Sequence, residues 1–354
     1  MSPCAPRLDF MSDNCAGAAP EIAAAVMSVL DGRARSYGSD DVTLAARATL
    51  RDLFDAPAAD VFLVPTGTAA NALALASVCP PWGAIYAAGS AHLDVDECGA
   101  PTFFTGGATL RLLDHADGLI DPAVLATALR RGRVGDVHAV QPAAISIAQI
   151  SELGAAYTPR HVHALTDMAH DAGLFCHMDG ARFANAVAHA GCAPADMTWR
   201  AGIDVLSLGA TKNGALGAEA VVIFDPDLAR DMGFRRKRAG HLLSKMRVMS
   251  TQIVTMFGSD LWLRLAGQAN DAASRLAAGL AKVPGATVTN RVDGNMVFAR
   301  LDADMDAALI SAGARYARRS ERDGSVRARL VTAFDTQSRD VDAFLDVARS
   351  RARP

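Results

Sequence analysis

No two of the six cysteines, at positions 4, 15, 79, 98, 176 and 192, form a C-x-x-C pair or a zinc-like spacing. Several lie inside apolar runs, so they read as buried, reduced thiols of a cytoplasmic protein. No apolar run approaches the roughly 20 residues that a membrane-crossing helix needs, so no membrane partner is expected. Nor does the stretch Met1 to Asp9, which carries Pro, Arg and Asp, hold the apolar core of a signal peptide. An excess of one charge is missing as well: 35 Lys and Arg against 38 Asp and Glu leave a net charge of −3. Such a balance offers no global field for nucleic acid or an anionic membrane, and points to a small-molecule partner. Internal repeats and low-complexity linkers are also absent.

What is present is a chain of 354 residues, 51% hydrophobic, long enough for a large core and two domains. From about residue 20 to 225, helix-like and strand-like segments alternate, the pattern of a parallel sheet between helices. Pro20 starts a helix, with Glu21 suited to its positive end, and Asp40 to Phe54 reads as a second. Val61 to Val64 is a strand that turns through Pro65-Thr66-Gly67-Thr68-Ala69-Ala70-Asn71 into a helix from Ala72 to Cys79. Further strands are expected at 84–86, 108–113, 139–147, 174–178, 205–208 and 220–224, with a helix at Arg160 to Ala172. After Asp225 the pattern changes to a basic helical stretch, Phe234 to Arg247, and a long helix from about Asp260 to Lys282. Short strands at 287–289, 296–299 and 327–332 and a closing helix from Asp340 to Arg351 complete the chain. The expected class is α/β: residues 1–20 reach the site, 21–255 form a large domain with a mostly parallel sheet, and 256–354 form a smaller α+β domain.

Two apolar runs carry the chemistry. One ends in Asp179-Gly180-Ala181-Arg182; the other, about thirty residues on, ends in Gly209-Ala210-Thr211-Lys212-Asn213-Gly214. A lone lysine among small residues at a strand end is costly to bury unless it is neutral, and neutral lysine is what imine formation needs. With Asp179 facing a pyridinium nitrogen, the pair fits a pyridoxal phosphate site. The Thr66-Gly67-Thr68 turn opens a helix, whose free N–H groups suit a cofactor phosphate, although such a turn alone is commonplace. Asp179 emerges at a strand end, where open α/β sheets bind ligands; in isolation it also reads as a helix cap with an arginine partner. Arg182 can turn its fork toward a carboxylate, and Arg329, or Arg327 on the same strand face, can supply a second clamp. The basic runs Arg235 to Arg238 and Arg130 to Arg133 read as solvated or subunit-contact faces, the first within reach of a phosphate across a subunit boundary.

Taken together, these motifs resemble those of the fold-type I pyridoxal phosphate enzymes, which share an aspartate-aminotransferase-like fold. Within that class the chain is similar to the low-specificity L-threonine aldolase family, from Ser12-Asp13-Asn14 to the strand at Arg329 and the closing helix. The resemblance implies that Lys212 carries the cofactor as a Schiff base, that Asp179 partners its ring nitrogen, and that His92 stacks on its ring. It implies a phosphate cradle at Gly67 and Thr68, a carboxylate clamp of Ser12, Arg182 and Arg329, and Arg238 reaching phosphate from a neighbouring subunit of a dimer or tetramer. The implied reaction is cleavage of L-threonine, L-allo-threonine and related β-hydroxy-α-amino acids to glycine and an aldehyde, with His92, directly or through a water, taking the hydroxyl proton. Two departures stand out. Gln149 and Ser151 occupy the strand end where many members carry a histidine near the substrate hydroxyl, and His241 to Lys245 replace a glycine-rich turn. A β-eliminating lyase or an aminotransferase uses the same residues with another bond presented, and a non-catalytic relative would keep the fold alone.

Overall fold

A computed structural model of the chain describes residues 6–350. Its strands are β1 (Asp60–Val64), β2 (Gly83–Ala88), β3 (Thr109–Leu113), the two-residue pair β4 (His115–Ala116) and β5 (Leu119–Ile120), β6 (Gln141–Ala148), β7 (Phe175–Gly180), β8 (Val205–Gly209) and β9 (Glu219–Ile223). A second group follows: β10 (Ala286–Val288), β11 (Met296–Leu301), β12 (Ala317–Ser320) and β13 (Val326–Val331). Seven of them form one sheet in the order β1-β9-β8-β7-β6-β2-β3. All its neighbours pair in parallel except β9, which runs against both β8 and β1.

The strand residues alternate between two packed faces, which is why the segments read as continuous apolar runs. Leu206, Leu208, Ala220 and Val222 join the core on one side of the sheet. Their sequence neighbours Val205, Val221 and Ile223 join the other, against the helix Gly67–Val78. That helix is built from Ala and Leu and is buried almost all round, so small side chains let it lie close beneath β7, β8 and β9. It begins at Gly67 rather than at Ala72 as expected. Thr66 is a true N-cap, its Oγ1 accepting from the Ala69 N–H at 3.1 Å, so the motif read as a turn is already the first helical turn.

The four-stranded sheet β10-β11-β13-β12 is antiparallel and covered on one face. Val297, Ala299, Leu301, Ala328 and Leu330 pack there against the helices Leu261–Leu280, Ala303–Ser311 and Ser338–Ser350, while Arg300, Arg327 and Arg329 lie on the opposite face. The long helix serves both cores: Leu261, Trp262 and Leu265 face the large one, and Ala273, Leu276 and Leu280 the small one. Phe10 is fully buried against Phe344, ring centroids 5.1 Å apart, and ties the N-terminal segment to the small sheet. The basic stretch expected to be helical from Phe234 to Arg247 is helical only as far as Arg238, in Met232–Arg238, and the next helix, Arg247–Phe257, begins where it was expected to end. Gly240, at φ +79°, takes a left-handed conformation that a helix cannot pass through. The short strand β12 was not anticipated, and the expected end of the last helix at Arg351 lies outside the described residues.

Candidate active site

Lys212 sits in the 3-10 turn Thr211–Asn213 directly after β8. Gly214 ends the turn at φ +105°, and the Asn213 side chain donates to the Trp262 carbonyl at 2.9 Å. Gly209 permits a close approach: a Cβ there would stand 2.7 Å from the Ala181 carbonyl oxygen, so only glycine lets the lysine turn and the Asp179–Arg182 loop lie side by side. Burial holds the Lys212 ammonium below the usual lysine range, and the nearby Arg182 charge adds to this; Asp13, Asp179 and Glu219 oppose it. Among the described residues no hydrogen bond or ion pair engages its Nζ. Beneath the turn, Glu219 Oε2 accepts from the Ala210 N–H at 2.9 Å, and burial pushes this carboxyl up to about 7.

Asp179 leaves the C-terminal end of β7 beside it. Its Oδ1 accepts from the Ala181 N–H at 3.0 Å and its Oδ2 from Asn71 Nδ2 at 2.8 Å. The same Asn71 nitrogen donates to Glu97 Oε1 at 2.8 Å, and that oxygen lies 2.8 Å from His92 Nδ1. A chain of hydrogen bonds therefore runs His92–Glu97–Asn71–Asp179. Glu97 Oε1 is placed to accept from His92 Nδ1 when that nitrogen carries a proton. This hydrogen bond raises the His92 pKa against the effect of burial, with the Asp179 and Glu97 charges adding to it.

Arg182 does not stand free. Its Nε and Nη2 bind Asp13 Oδ2 and Oδ1 at 2.7 and 3.0 Å, a bidentate pair in which the side chains are only 10% and 1% exposed. Asp13 also accepts from Asn295 Nδ2 at 3.0 Å. Burial works against its ionisation, but the Arg182 and Lys212 charges and these bonds hold its carboxyl below the usual range. Ser12 caps this turn through the Asn14 N–H at 3.2 Å. On β13, Arg329 is half-buried and makes no ion pair among the described residues. Burial lowers its pKa, as does the Arg182 charge, whose effect also marks the two guanidinium groups as neighbours. Arg327 is exposed and paired with Glu321 at 2.9 Å. Of the two, Arg329 is the one the fold turns toward Arg182 and Asp13.

Gly67 and Thr68 open their helix with backbone N–H groups that have no acceptor among the described residues, and the space beside the Gly67 Cα is empty to 4 Å. The result is a helix N-terminus prepared for an anion. Arg238 is exposed and has no partner among the described residues. Its neighbour Arg236 turns inward instead, over the Phe62 ring and onto the Leu63 carbonyl, where burial brings it down to about 10. Sequence reasoning singled out Lys212, Asp179, His92, Arg182, Arg329, Gly67, Thr68 and Ser12, and the fold gathers them at one end of the sheet and the adjoining edge of β13. It passed over Asp13, Asn71, Glu97 and Glu152. Two of these stood within quoted motifs, Asp13 beside Ser12 and Asn71 closing the Thr66 to Asn71 turn.

A seven-stranded sheet with one reversed strand, bearing an unpaired lysine and an aspartate on adjacent strand ends, defines the class: the fold is that of the fold-type I pyridoxal phosphate enzymes. Serine palmitoyltransferase of Sphingomonas wittichii shares it at a TM-score of 0.72, with 14% identity over 97% of this chain and 86% of that one. A family model described as beta-eliminating lyase matches residues 9–304. The low specificity L-threonine aldolase of Pseudomonas aeruginosa is 39% identical over 341 residues, 96% of each chain. A threonine aldolase structure from Leishmania major superposes at a TM-score of 0.92, with 25% identity over 98% of this chain and all of that one. This chain belongs to the beta-eliminating lyase family and, within it, to the low-specificity L-threonine aldolases.

Proposed function

We propose that this protein binds pyridoxal 5′-phosphate and cleaves L-threonine, L-allo-threonine and related β-hydroxy-α-amino acids to glycine and an aldehyde, acetaldehyde in the case of threonine. The residues present suit the cofactor: a lysine without a partner, a carboxylate on the adjacent strand end, and a helix start with two free N–H groups. Lys212 would hold it covalently, Gly67 and Thr68 its phosphate, and Asp179 the proton of its ring nitrogen, with His92 beside them. Bound there, the cofactor supplies an electron sink for the pair released at the substrate α-carbon. The remaining work falls to the side chains. Arg329 and the free Nη1 of Arg182 would take the substrate carboxylate and so fix which bond at Cα is presented for cleavage. Ser12 shapes this clamp through Asp13.

The observation that carries the reading is the state of Lys212: half-buried, unpaired and below the usual lysine range, with Asp179 and both arginines around it. Its test is an absorbance spectrum of the purified protein followed by L-threonine in the same cuvette. A near-visible cofactor band, with acetaldehyde and glycine formed in equal amounts, is the expected result. A band with keto acid and ammonia, and no aldehyde, would make the protein a β-eliminating lyase instead. No helix among the described residues is long and apolar enough to cross a membrane. We further propose a cytoplasmic homo-oligomer in which Arg238 reaches the phosphate of a neighbouring copy; an Arg238→Ala variant that binds the cofactor as tightly as the parent would remove that role.

A further inference from the structure

Cleavage of a β-hydroxy amino acid requires a group that takes the hydroxyl proton. Resting on the aldolase reading, we propose that this group is Glu152, whose unpartnered carboxylate oxygen exchanges the proton with the β-hydroxyl.

The loop 149–152 leaves β6 beside the end of β7, and the Gln149 N–H donates to the Asp179 carbonyl at 2.7 Å. It therefore lies beyond the carboxyl end of the sheet, where such folds bind ligands. Two of its polar side chains are already committed to the loop itself. Gln149 is fully buried, with Nε2 on the Tyr157 carbonyl at 2.8 Å and Oε1 on the Tyr157 N–H at 3.0 Å. Ser151 Oγ donates to the Asp117 carbonyl at 2.7 Å and accepts from the Ala155 N–H at 3.2 Å. Neither has a free group to offer a substrate.

Glu152 does. Its Oε1 accepts from the His92 backbone N–H at 2.8 Å, while its Oε2 is buried and has no partner. A buried carboxylate oxygen without a donor is costly, and the cost is removed when a hydroxyl or a proton arrives. Burial is the main cause that brings this carboxyl up to about 7; the Asp179 charge adds to it, while the His92 N–H and the His92 charge oppose it. Tyr157 lies close enough for the Glu152 charge to act on it. A group near neutral both accepts and releases a proton readily. His92 is less available: its Nδ1 is held by Glu97, and its Nε2 lies 3.5 Å from Asp96.

In the step, the hydroxyl O–H bond breaks and its proton passes to Glu152 Oε2. The electron pair left on oxygen forms the aldehyde C=O as the Cα–Cβ bond breaks and its pair passes to Cα. A proton taken up from solvent at Cα gives glycine, so the atoms of threonine equal those of glycine and acetaldehyde and nothing is oxidised. Glu152 is regenerated when it releases the hydroxyl proton to solvent, one proton leaving for each one taken up.

The experiment compares the parent with Glu152→Gln on two reactions of the cofactor-loaded protein. One is acetaldehyde release from L-threonine; the other is exchange of the glycine α-proton in D2O, followed by NMR, which needs the site but has no hydroxyl. Cleavage should fall by about 100-fold or more while exchange stays within about threefold of the parent. In the cofactor-free protein, infrared spectra should show two carboxyls that ionise near neutral pH in the parent, Glu219 and Glu152, and only one of them in the variant. Cleavage within about threefold of the parent would overturn the proposal, and so would parallel loss of cleavage and exchange, which marks a support for His92 alone. Should Glu152→Gln fail to fold by circular dichroism, Glu152→Asp takes its place, and a base drawn back by one methylene predicts the same selective loss. If the parent itself releases no acetaldehyde, the aldolase reading fails, a result distinct from any outcome with the variants.

Discussion

Replacing Asp13 with alanine leaves Arg182 buried without its counter-charge. The two side chains are nearly closed to solvent and joined by two bonds, so screening does little to soften the loss. Removing one partner of such a pair costs about 3–5 kcal/mol, because the remaining charge is stranded. For a chain of this size that corresponds to a fall in melting temperature of roughly 4–7 °C. Melting of the cofactor-free protein, followed by circular dichroism, avoids the stabilisation that a bound ligand adds. The double variant Asp13→Ala/Arg182→Met removes both charges and should recover a large part of the loss. A pH series supplies the sign. The Asp13 pKa is depressed in the folded protein, so its contribution is fully present above the unfolded value of about 3.9 and is lost as pH falls below it. The gap between parent and Asp13→Ala should therefore be flat from about pH 5 upward and narrow toward pH 3. A variant melting within about 2 °C of the parent, or a gap that widens in acid, would refute the reasoning.

Lys212→Ala should abolish turnover and the near-visible band while leaving the circular dichroism spectrum unchanged, since no hydrogen bond of the fold depends on its ammonium; multiple turnovers would remove it from the site. Arg329→Ala should raise the threonine KM by about 10- to 100-fold, the worth of a charge-assisted pair with a carboxylate, whereas Arg327→Ala should change it by less than about twofold. The reverse pattern in steady-state kinetics would reassign the clamp. Glu97→Gln should lower the His92 pKa, read from its ring protons by NMR. In the parent that raised value stabilises the fold below about pH 6.5 and is lost as pH rises through the folded pKa, so the variant should lose stability on the acid side only.

The residues legible in the sequence were those whose chemistry is unusual where they stand. A lone lysine among glycines and alanines after an apolar run has few structural explanations, and Lys212 and Asp179 fall on neighbouring strands as the motif order implied. The choice between Arg327 and Arg329 was not legible, because residues two apart share a strand face. The structure sets the two apart without assigning the clamp: Arg327 is exposed and meets Glu321, while Arg329 is half-buried and feels the Arg182 charge. Asp13, Asn71 and Glu152 could not be singled out, as each acts through a partner distant in sequence: 169 positions separate Asp13 from Arg182, 108 separate Asn71 from Asp179, and 60 separate Glu152 from His92, whereas Glu97 stands only five from His92. The helix start at Gly67 could have been read. A threonine ahead of an alanine-rich run is a capping signal, and weighing the segment as a phosphate turn set it aside.

The reversal of β9 has a consequence for how the lysine comes to its place. Other strand-to-strand connections of the large sheet leave and return through helices, but β8 and β9 are adjacent and antiparallel, with Gly209 opposite Glu219. Lys212 thus rides on a hairpin whose ends are held together by its own flanking strands. Closing so short a loop costs little entropy, and contacts of short sequence separation form early in folding. The lysine turn is a low-contact-order unit, formed locally, while the Asp13–Arg182 pair awaits a closure across 169 positions. A population in which the lysine hairpin is protected from amide hydrogen exchange before the N-terminal segment docks is the order of assembly this topology favours.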